Sequence, residues 1–443
     1  MGEESAMSTM DNIPDDAPVS GRSTIDNLLE EIPLPRMVKV RQTFDRPRVV
    51  DVEGELVRKF QESGVLANVK PGHKIAVTAG SRGIASLPLM LKTLVSEIKR
   101  VGGRPFLFPA MGSHGGATAQ GQCDMLVGMG ITEEVVGAPI RATMETVVVG
   151  TSDNGFPVHL DKYACEADGI VAVNRIKPHV AFRGICESGL MKMIVLGMGK
   201  QKGADICHEL GFGKMAENIL AIGRAALAKA NILCGVGILE NAYHETARLE
   251  VLAGAEIPHR EPMLLEEAWR LYPKIYFDRL DVLIIDEIGK DISGTGFDTN
   301  VVGRYHTPYA SGGPTITRVA VLDITDRSHG NANGLGILDF TTRRAFDKFS
   351  FENTYPNSLT STVPMTVKIP MVLKNDRQAI QAAIKTCNIP DKSNVRLARI
   401  KNTVALDEIA VSENLLPEVK ANKHLEALCE PQALAFNDKG SLF

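Results

Sequence analysis

The chain has 443 residues, 44% hydrophobic and 23% charged, which is typical of a globular protein long enough for two or three domains. A net charge of -4 and a pI of about 6.2 argue against nucleic acid or an anionic membrane surface as partner and favour a small molecule. The apolar runs are far shorter than the ~20 residues of a membrane span, and seven cysteines without a CxxC pair favour a cytoplasmic location.

The first 33 residues are polar and lack helical or strand periodicity, so they are predicted to form a flexible N-terminal arm. From residue 34 onward, strand-like and helix-like runs alternate. Strands are predicted at 73–78 and 104–109, and helices at 87–101 and 118–129. This alternation predicts an α/β fold.

Further along, a buried strand is predicted at 167–174 and another at 280–286. A helix is predicted at 262–271, with Pro262 in its first turn. We place a domain change near residue 275. The prediction is two α/β domains with an active-site cleft between them: a catalytic domain over 34–275 and a second domain over 276–400 that closes the cleft, followed by a C-terminal segment over 401–443.

Three histidines and one lysine lie in settings that suit chemistry: His114 in MGSHGGA, His179 in NRIKPH, His208 in ICHE and Lys192 in SGLMKMIVLGMG. Imidazoles near neutral pKa suit proton transfer or metal ligation, and a lysine with apolar neighbours is a candidate covalent anchor. Because ligands bind beyond the carboxyl ends of strands in open α/β sheets, Arg82 and His114 are expected on a common rim. Neither a P-loop nor a Rossmann fingerprint is present in full at 289–296 or 197–203.

These segments resemble the nickel-dependent lactate racemase family and its wider group of 2-hydroxyacid racemases and epimerases. The family's TGTH loop is similar to residues 111–114, its KPH loop to 177–179 and its SGGRK anchor to 188–192. The similarity extends in weaker form from about residue 77 to about residue 303. In this family the C-terminal segment returns to the first domain, so 401–443 is expected to pack there.

The resemblance implies a nickel pincer nucleotide, a pyridinium-3,5-bisthiocarboxylic acid mononucleotide that binds nickel, covalently attached at Lys192 of the first domain. His208 would coordinate the nickel, with the thiol of Cys207 as the rival ligand. Maturation proteins that make the cofactor would be transient partners. The other implied cofactor-binding residues are Gly112, Ser113 and Lys177.

The resemblance also implies the reaction: inversion of the C2 stereocentre of a 2-hydroxyacid by hydride transfer, with His114 and His179 as acid and base. Arg82 and Lys290 would bind the substrate carboxylate. Both positions depart from the family pattern, because Arg82 follows Ala-Gly-Ser instead of Asp-His-Thr, and Asp-Glu at 286–287 replaces a Tyr-Gln pair. A substrate other than lactate is compatible with these departures.

Two other classes of function stay open on the sequence. A metal-dependent hydrolase would use the histidines as ligands around an activated water, with three of them on one metal beside a carboxylate. A non-enzymatic metal- or nucleotide-binding protein would need neither His114 nor His179 for turnover. Each residue also has an ordinary structural role open to it, such as a turn histidine, an exposed helix lysine or a structural ion pair.

Overall fold

The structure is a computed structural model that describes residues 23–443. The strands are β1 (Met37–Gln42), β2 (Lys74–Ala79), β3 (Arg104–Pro109), β4 (Thr146–Thr151), β5 (Pro157–Asp161), β6 (Gly169–Arg175), β7 (Ile232–Glu240), β8 (Thr246–Ala253), β9 (Arg279–Ile288), β10 (Thr315–Ile324), β11 (Phe340–Thr342), β12 (Met371–Leu373), β13 (Leu397–Ile400), β14 (Glu408–Ser412) and β15 (Leu425–Ala427). The helices are α1 (Thr24–Leu29), α2 (Val52–Ser63), α3 (Leu87–Arg100), α4 (Ala119–Gly128), α5 (Glu133–Val136), α6 (Lys162–Cys165), α7 (Leu190–Lys192), α8 (Lys200–Glu209), α9 (Phe212–Lys229), α10 (Ile257–Arg270), α11 (Thr299–Val302), α12 (Arg343–Asp347), α13 (Phe351–Ser361), α14 (Asp376–Thr386) and α15 (Leu416–Ala421).

The first sheet has five strands in the order β3-β2-β6-β7-β8, parallel except for the antiparallel β7–β8 pair. Its central strands are buried on both faces, which explains their nearly continuous apolar sequences. The helices α2 and α3 cover one face, and the helices α7 to α10 cover the other. The predicted α/β class is confirmed, and the strand at 104–109 is placed as predicted.

The second sheet has eight strands in the order β12-β11-β10-β9-β13-β14-β1-β15. The strands from β12 to β13 are parallel, while β14, β1 and β15 continue the sheet in antiparallel fashion. The chain passes from the first sheet to the second between α10 and β9, where the domain change was predicted. A separate antiparallel ribbon is formed by β4 and β5.

The two ends of the chain differ from the predicted division. Strand β1 pairs with β14 and β15, so residues 37–42 belong to the second sheet and not to the 34–275 domain. For the same reason the segment 401–443 completes the second sheet instead of packing mainly on the first domain. Residues 1–22 of the predicted arm lie outside the described residues. From residue 23 onward the chain is docked, because Ser23 caps α1 and Asp26 accepts a 2.6 Å hydrogen bond from Gln378 of α14.

Helix α10 begins five residues earlier than predicted. Pro258 occupies its first turn, where the missing N–H removes no helical hydrogen bond, and Pro262 lies inside the helix. The prediction that Pro262 begins this helix is therefore wrong. Within residues 23–443, no helix is long and apolar enough to cross a membrane.

Candidate active site

The predicted site residues converge on a cleft between the two sheets. Arg82 follows β2, His114 follows β3 and His179 follows β6, while Lys290 follows β9 of the second sheet. The cleft beside them has a volume of about 610 Å³ and is lined by Arg82 and Lys290, among others. As expected for an open α/β sheet, the residues from the first sheet lie beyond the carboxyl ends of its strands. Residues of the second sheet's domain form the opposite wall of the cleft.

Among the predicted site residues, His179 and Lys192 are in direct side-chain contact. Nζ of Lys192 lies 2.8 Å from Nε2 of His179, and the backbone N–H of Ala181 donates to Nδ1 of the same ring at 3.1 Å. Because Nδ1 accepts a hydrogen bond, a neutral ring carries its proton on Nε2. Nε2–H then donates to Lys192, which can accept only as a neutral amine.

The electrostatics around this pair favour the neutral form of both groups. Burial, with further contributions from Lys177 and Arg82, lowers the pKa of Lys192 to about 8. Burial and the charge of Lys192 also hold the pKa of His179 well below its ordinary value. At pH 7 a lysine with this pKa is still mostly protonated, but its free-amine fraction of about one-tenth is far larger than that of an ordinary lysine, and the free amine is the form that can make a covalent bond.

The backbone that carries Lys192 is fixed by a buried carboxyl group. Glu261 of α10 is fully buried and accepts the N–H of Met191, at the start of α7, at 2.8 Å. Burial raises the pKa of Glu261 to about 7. After Lys192 the chain makes a π-helical turn over Met193–Gly197, a local geometry that often marks functional sites.

Gly189, which precedes α7, leaves the space that Glu261 occupies. A Cβ at this position would lie 2.3 Å from Oε1 of Glu261. Gly189→Ala is therefore expected to displace the carboxyl group from α7, which leaves buried N–H groups unsatisfied and lowers the free energy of unfolding by about 1–3 kcal/mol. Urea denaturation measures this change.

Gly128→Ala is the matched control, because a Cβ at Gly128 in helix α4 meets no atom within 4 Å. That variant is expected to be as stable as the parent or slightly more stable, since alanine favours a helix over glycine. Equal stability of Gly189→Ala and Gly128→Ala would contradict the capping role of Glu261.

The imidazole of His114 stands on the opposite side of the site. Its Nδ1 lies 2.5 Å from Oγ of Ser81, and Nε2 makes no hydrogen bond with any residue of the range 23–443. Desolvation of the ring, with further contributions from the charges of Arg82, Lys290 and Lys192, lowers the pKa of His114 to about 3. His114 is exposed, so its neutral imidazole is accessible to a ligand.

The loop that carries His114 is held by a buried polar network. Nε2 of Gln122 donates to the carbonyls of Gly112 and His114 at 3.0 and 3.2 Å. Oε1 of Gln122 accepts from Lys200 at 3.3 Å, and the fully buried Lys200 pairs with the equally buried Asp161 at 3.0 Å. Gly112 has a φ of +58°, and a Cβ there would lie 3.3 Å from the carbonyl oxygen of Leu196, so the position favours glycine. Ser113 lies between Gly112 and His114, and its hydroxyl makes no hydrogen bond to a described residue.

Two cations face the cleft without a carboxylate partner among residues 23–443. Arg82 makes no ion pair there, and burial with the charge of Arg175 lowers its pKa. Lys290 donates to the carbonyl of Gly294 and to Oδ1 of Asn357, each at 2.8 Å. Burial and the nearby charge of Arg82 lower the pKa of Lys290 to about 7. Unpaired cations of this kind suit an anionic ligand.

Lys177 lies at the edge of the same cleft and contacts the second domain. Its Nζ is 3.7 Å from Oδ2 of Asp298, and the hydroxyl of Tyr272 donates to the same oxygen. The negative partner offsets only part of the burial, and the pKa of Lys177 is lowered.

Two histidines contact the ring of Phe212, and each has one ring nitrogen without a hydrogen-bond partner among the described residues. The ring centroids of His208 and His306 lie 5.4 and 6.1 Å from that of Phe212. Nδ1 of each histidine is buried and has no hydrogen-bond partner among the described residues. Burial lowers the pKa of each to about 4, so both rings are neutral and able to accept a bond. The rival ligand Cys207 is also buried, and burial raises the pKa of its thiol to about 12.

Some predicted neighbours are engaged elsewhere. Asp286 pairs with Arg399 through two hydrogen bonds of 2.7 and 3.0 Å, and Glu287 accepts from Asn402 at 2.9 Å. Neither carboxylate contacts Lys290. Among residues 23–443, no three His, Cys, Asp or Glu side chains lie close enough together to hold a metal ion, which is the arrangement that the hydrolase alternative needs.

Sequence reasoning missed several residues that shape the site. His306, a buried imidazole, could be singled out from the sequence only as a second-domain histidine able to face the cleft, because its setting of Tyr-His-Thr carries no motif. Glu261 and Gln122 act through long-range contacts that periodicity cannot reveal. The buried Lys200 could have been noticed in the sequence, because it is a lysine within the glycine-rich run that follows Lys192.

Comparison with known proteins assigns the first-sheet region to a family. Residues 52–218 match the family model of the lactate racemase N-terminal domain. The lactate racemase apoprotein from Thermoanaerobacterium thermosaccharolyticum is a structural match with a TM-score of 0.49 and 15% sequence identity, over 84% of this chain and 99% of that one. No curated protein matches the chain.

The segment that matches the lactate racemase N-terminal domain contains every predicted site residue except Lys290. It begins at the start of α2 and ends within α9, so it includes the loops after β2, β3 and β6 as well as the tether segment. The predicted resemblance to the lactate racemase family is therefore confirmed for this part of the chain. The facing wall, with Lys290 and His306, lies outside the matched residues.

Proposed function

We propose that this protein is a racemase or epimerase of 2-hydroxyacids that carries a nickel pincer nucleotide on Lys192. The observation that carries the proposal is the 2.8 Å contact between Lys192 and His179, which joins an amine of lowered pKa to a base, beside a cleft lined by Arg82 and Lys290. The lactate racemase N-terminal domain supports the same assignment.

The residues present fit the cofactor in two respects. Lys192 has the lowered pKa that a covalent tether needs, and His208 has a buried nitrogen without a hydrogen-bond partner among the described residues. A neutral imidazole is a good ligand for nickel. Bound there, the pincer nucleotide would supply a hydride acceptor for the C2 hydrogen, which is too weakly acidic for direct removal by a histidine.

The residues of the chain would bind the substrate and transfer its hydroxyl proton. Arg82 and Lys290 bind the substrate carboxylate, the guanidinium through two oxygens at once. His114 and His179 exchange the hydroxyl proton, one for each enantiomer. Desolvation is the main cause of the lowered pKa of His114, and a carboxylate beside Arg82 and Lys290 would offset the smaller contribution of their positive charges.

The test is an assay of loaded protein, produced together with the cofactor-making proteins, against a panel of enantiopure 2-hydroxyacids in deuterated water. The expected result is inversion at C2 with retention of the original C2 hydrogen, because hydride transfer does not exchange it with solvent. Incorporation of solvent deuterium at C2 would contradict the hydride route. Failure of nickel-loaded protein to invert any acid of the panel would contradict the function.

A further inference from the structure

One arginine joins the loop of His179 to the second domain. Arg183 lies between His179 and Lys192, and its NH1 donates to the carbonyl of His179 at 2.7 Å. On the other side of the loop, Glu187 accepts the backbone N–H of His179 at 2.7 Å and lies 3.5 Å from Arg183. The peptide groups around His179 are thus held from both sides.

Other N–H groups of Arg183 donate hydrogen bonds to the second sheet's domain. NH2 donates to Oδ1 of Asn300, to the hydroxyl of Tyr305 at 3.0 Å and to the carbonyl of Ser311 at 2.8 Å. The backbone N–H of Arg183 donates to the carbonyl of Tyr309 at 2.9 Å. All of these acceptors follow β9 and belong to the second sheet's domain.

Aromatic rings confine the guanidinium between these acceptors. Its central carbon lies 4.9 Å from the ring centroid of Trp269 and 5.3 Å from that of Tyr305. A planar guanidinium can stack on rings while it donates in several directions, and a lysine ammonium cannot. The site therefore uses properties specific to arginine.

A second set of contacts joins the same two segments. Oγ1 of Thr299 donates to the carbonyl of Val180 at 2.7 Å, and the hydroxyl of Thr307 donates to that of Ala181. Ala181 is the residue whose N–H fixes the tautomer of His179. The orientation of the His179 ring therefore depends on groups that the second domain supplies.

We propose that Arg183 is a positioning residue that couples closure of the second domain to the orientation of His179 against Lys192. The Nε2–H tautomer of His179 then exists as a fixed form only in the closed arrangement. The role of His179 in turnover rests on the proposed function, but the coupling itself concerns the chain alone and is testable without substrate.

The experiment measures the tautomer of His179 by nitrogen-15 NMR of the full chain with labelled histidine, before cofactor attachment. The signals of His179 are identified by their loss in His179→Gln. In the parent we expect a single form with protonated Nε2 and unprotonated Nδ1. Arg183→Lys and the double variant Asn300→Ala/Tyr305→Phe are each expected to give a mixture of tautomers.

Arg304→Lys is the matched control, because Arg304 pairs with Asp339 at 2.9 Å and donates to backbone carbonyls of β10, away from His179. It is expected to keep the single form. If Arg183→Lys keeps the single form while remaining folded, the proposal is wrong. If only Arg183→Lys changes the tautomer and the double variant does not, Arg183 acts within the first domain and the coupling is refuted. Neither outcome depends on whether the loaded protein racemises a 2-hydroxyacid.

Discussion

Replacement of Lys192 by arginine is expected to leave the protein folded but to reduce turnover to the uncatalysed background. Arginine keeps the positive charge, yet its guanidinium stays protonated and cannot make the covalent link to a cofactor. The change also removes the hydrogen bond with Nε2 of His179. Nickel retained after gel filtration, together with racemisation of the best substrate, measures the loss.

Lys202→Arg is the control, because Lys202 is exposed on α8, ten residues beyond the tether. It is expected to retain nickel and turnover at the level of the parent. A Lys192→Arg variant that still held nickel and turned over substrate would show that the lysine is not the attachment point, and would require a noncovalent site.

The second large effect is expected for the two histidines. Replacing His114 or His179 with glutamine keeps a polar side chain but removes proton transfer, which contributes about 10²–10⁴-fold to rate. We expect kcat to fall by about that factor for at least one enantiomer, with nickel content unchanged because neither residue is the proposed ligand. Initial rates from each pure enantiomer, normalised to bound nickel, measure the effect.

His259→Gln is the matched control, since His259 is exposed on α10. It is expected to keep the rates of the parent in both directions. If His114→Gln and His179→Gln both keep parental rates, the acid and base lie elsewhere, and His306 becomes the next residue to replace because its buried Nδ1 has no partner among the described residues.

Local patterns predicted the parts of the fold that depend on neighbours in sequence. Residues 104–109 form a strand as predicted, and the loops after β2, β3 and β6 meet because parallel strands end at one edge of a sheet. For the same reason Arg82, His114 and His179 could be placed together without coordinates. Each of these predictions needs only a periodicity and a rule of topology.

The sequence-based predictions that were wrong or missing concern residues whose partners are distant in the chain. Strand β1 finds its neighbours β14 and β15 about 370 residues further along the chain, and its own sequence of alternating apolar residues fits either sheet. Asp286 pairs with Arg399, and Glu261 caps the segment of Lys192 from another helix. No local pattern specifies which of many carboxylates will be used in this way, because the choice depends on packing of whole elements.

The most direct test of the account is the mass of the Lys192 peptide, with nickel analysis, from protein made in its native host or with the cofactor-making proteins. We expect Lys192 to carry the added mass of a pyridinium dithio-mononucleotide, with nickel bound alongside it. An unmodified Lys192 in protein that holds nickel and inverts a 2-hydroxyacid would contradict the tethered cofactor. An unmodified Lys192 without either property, under the same conditions, would contradict the racemase assignment as a whole.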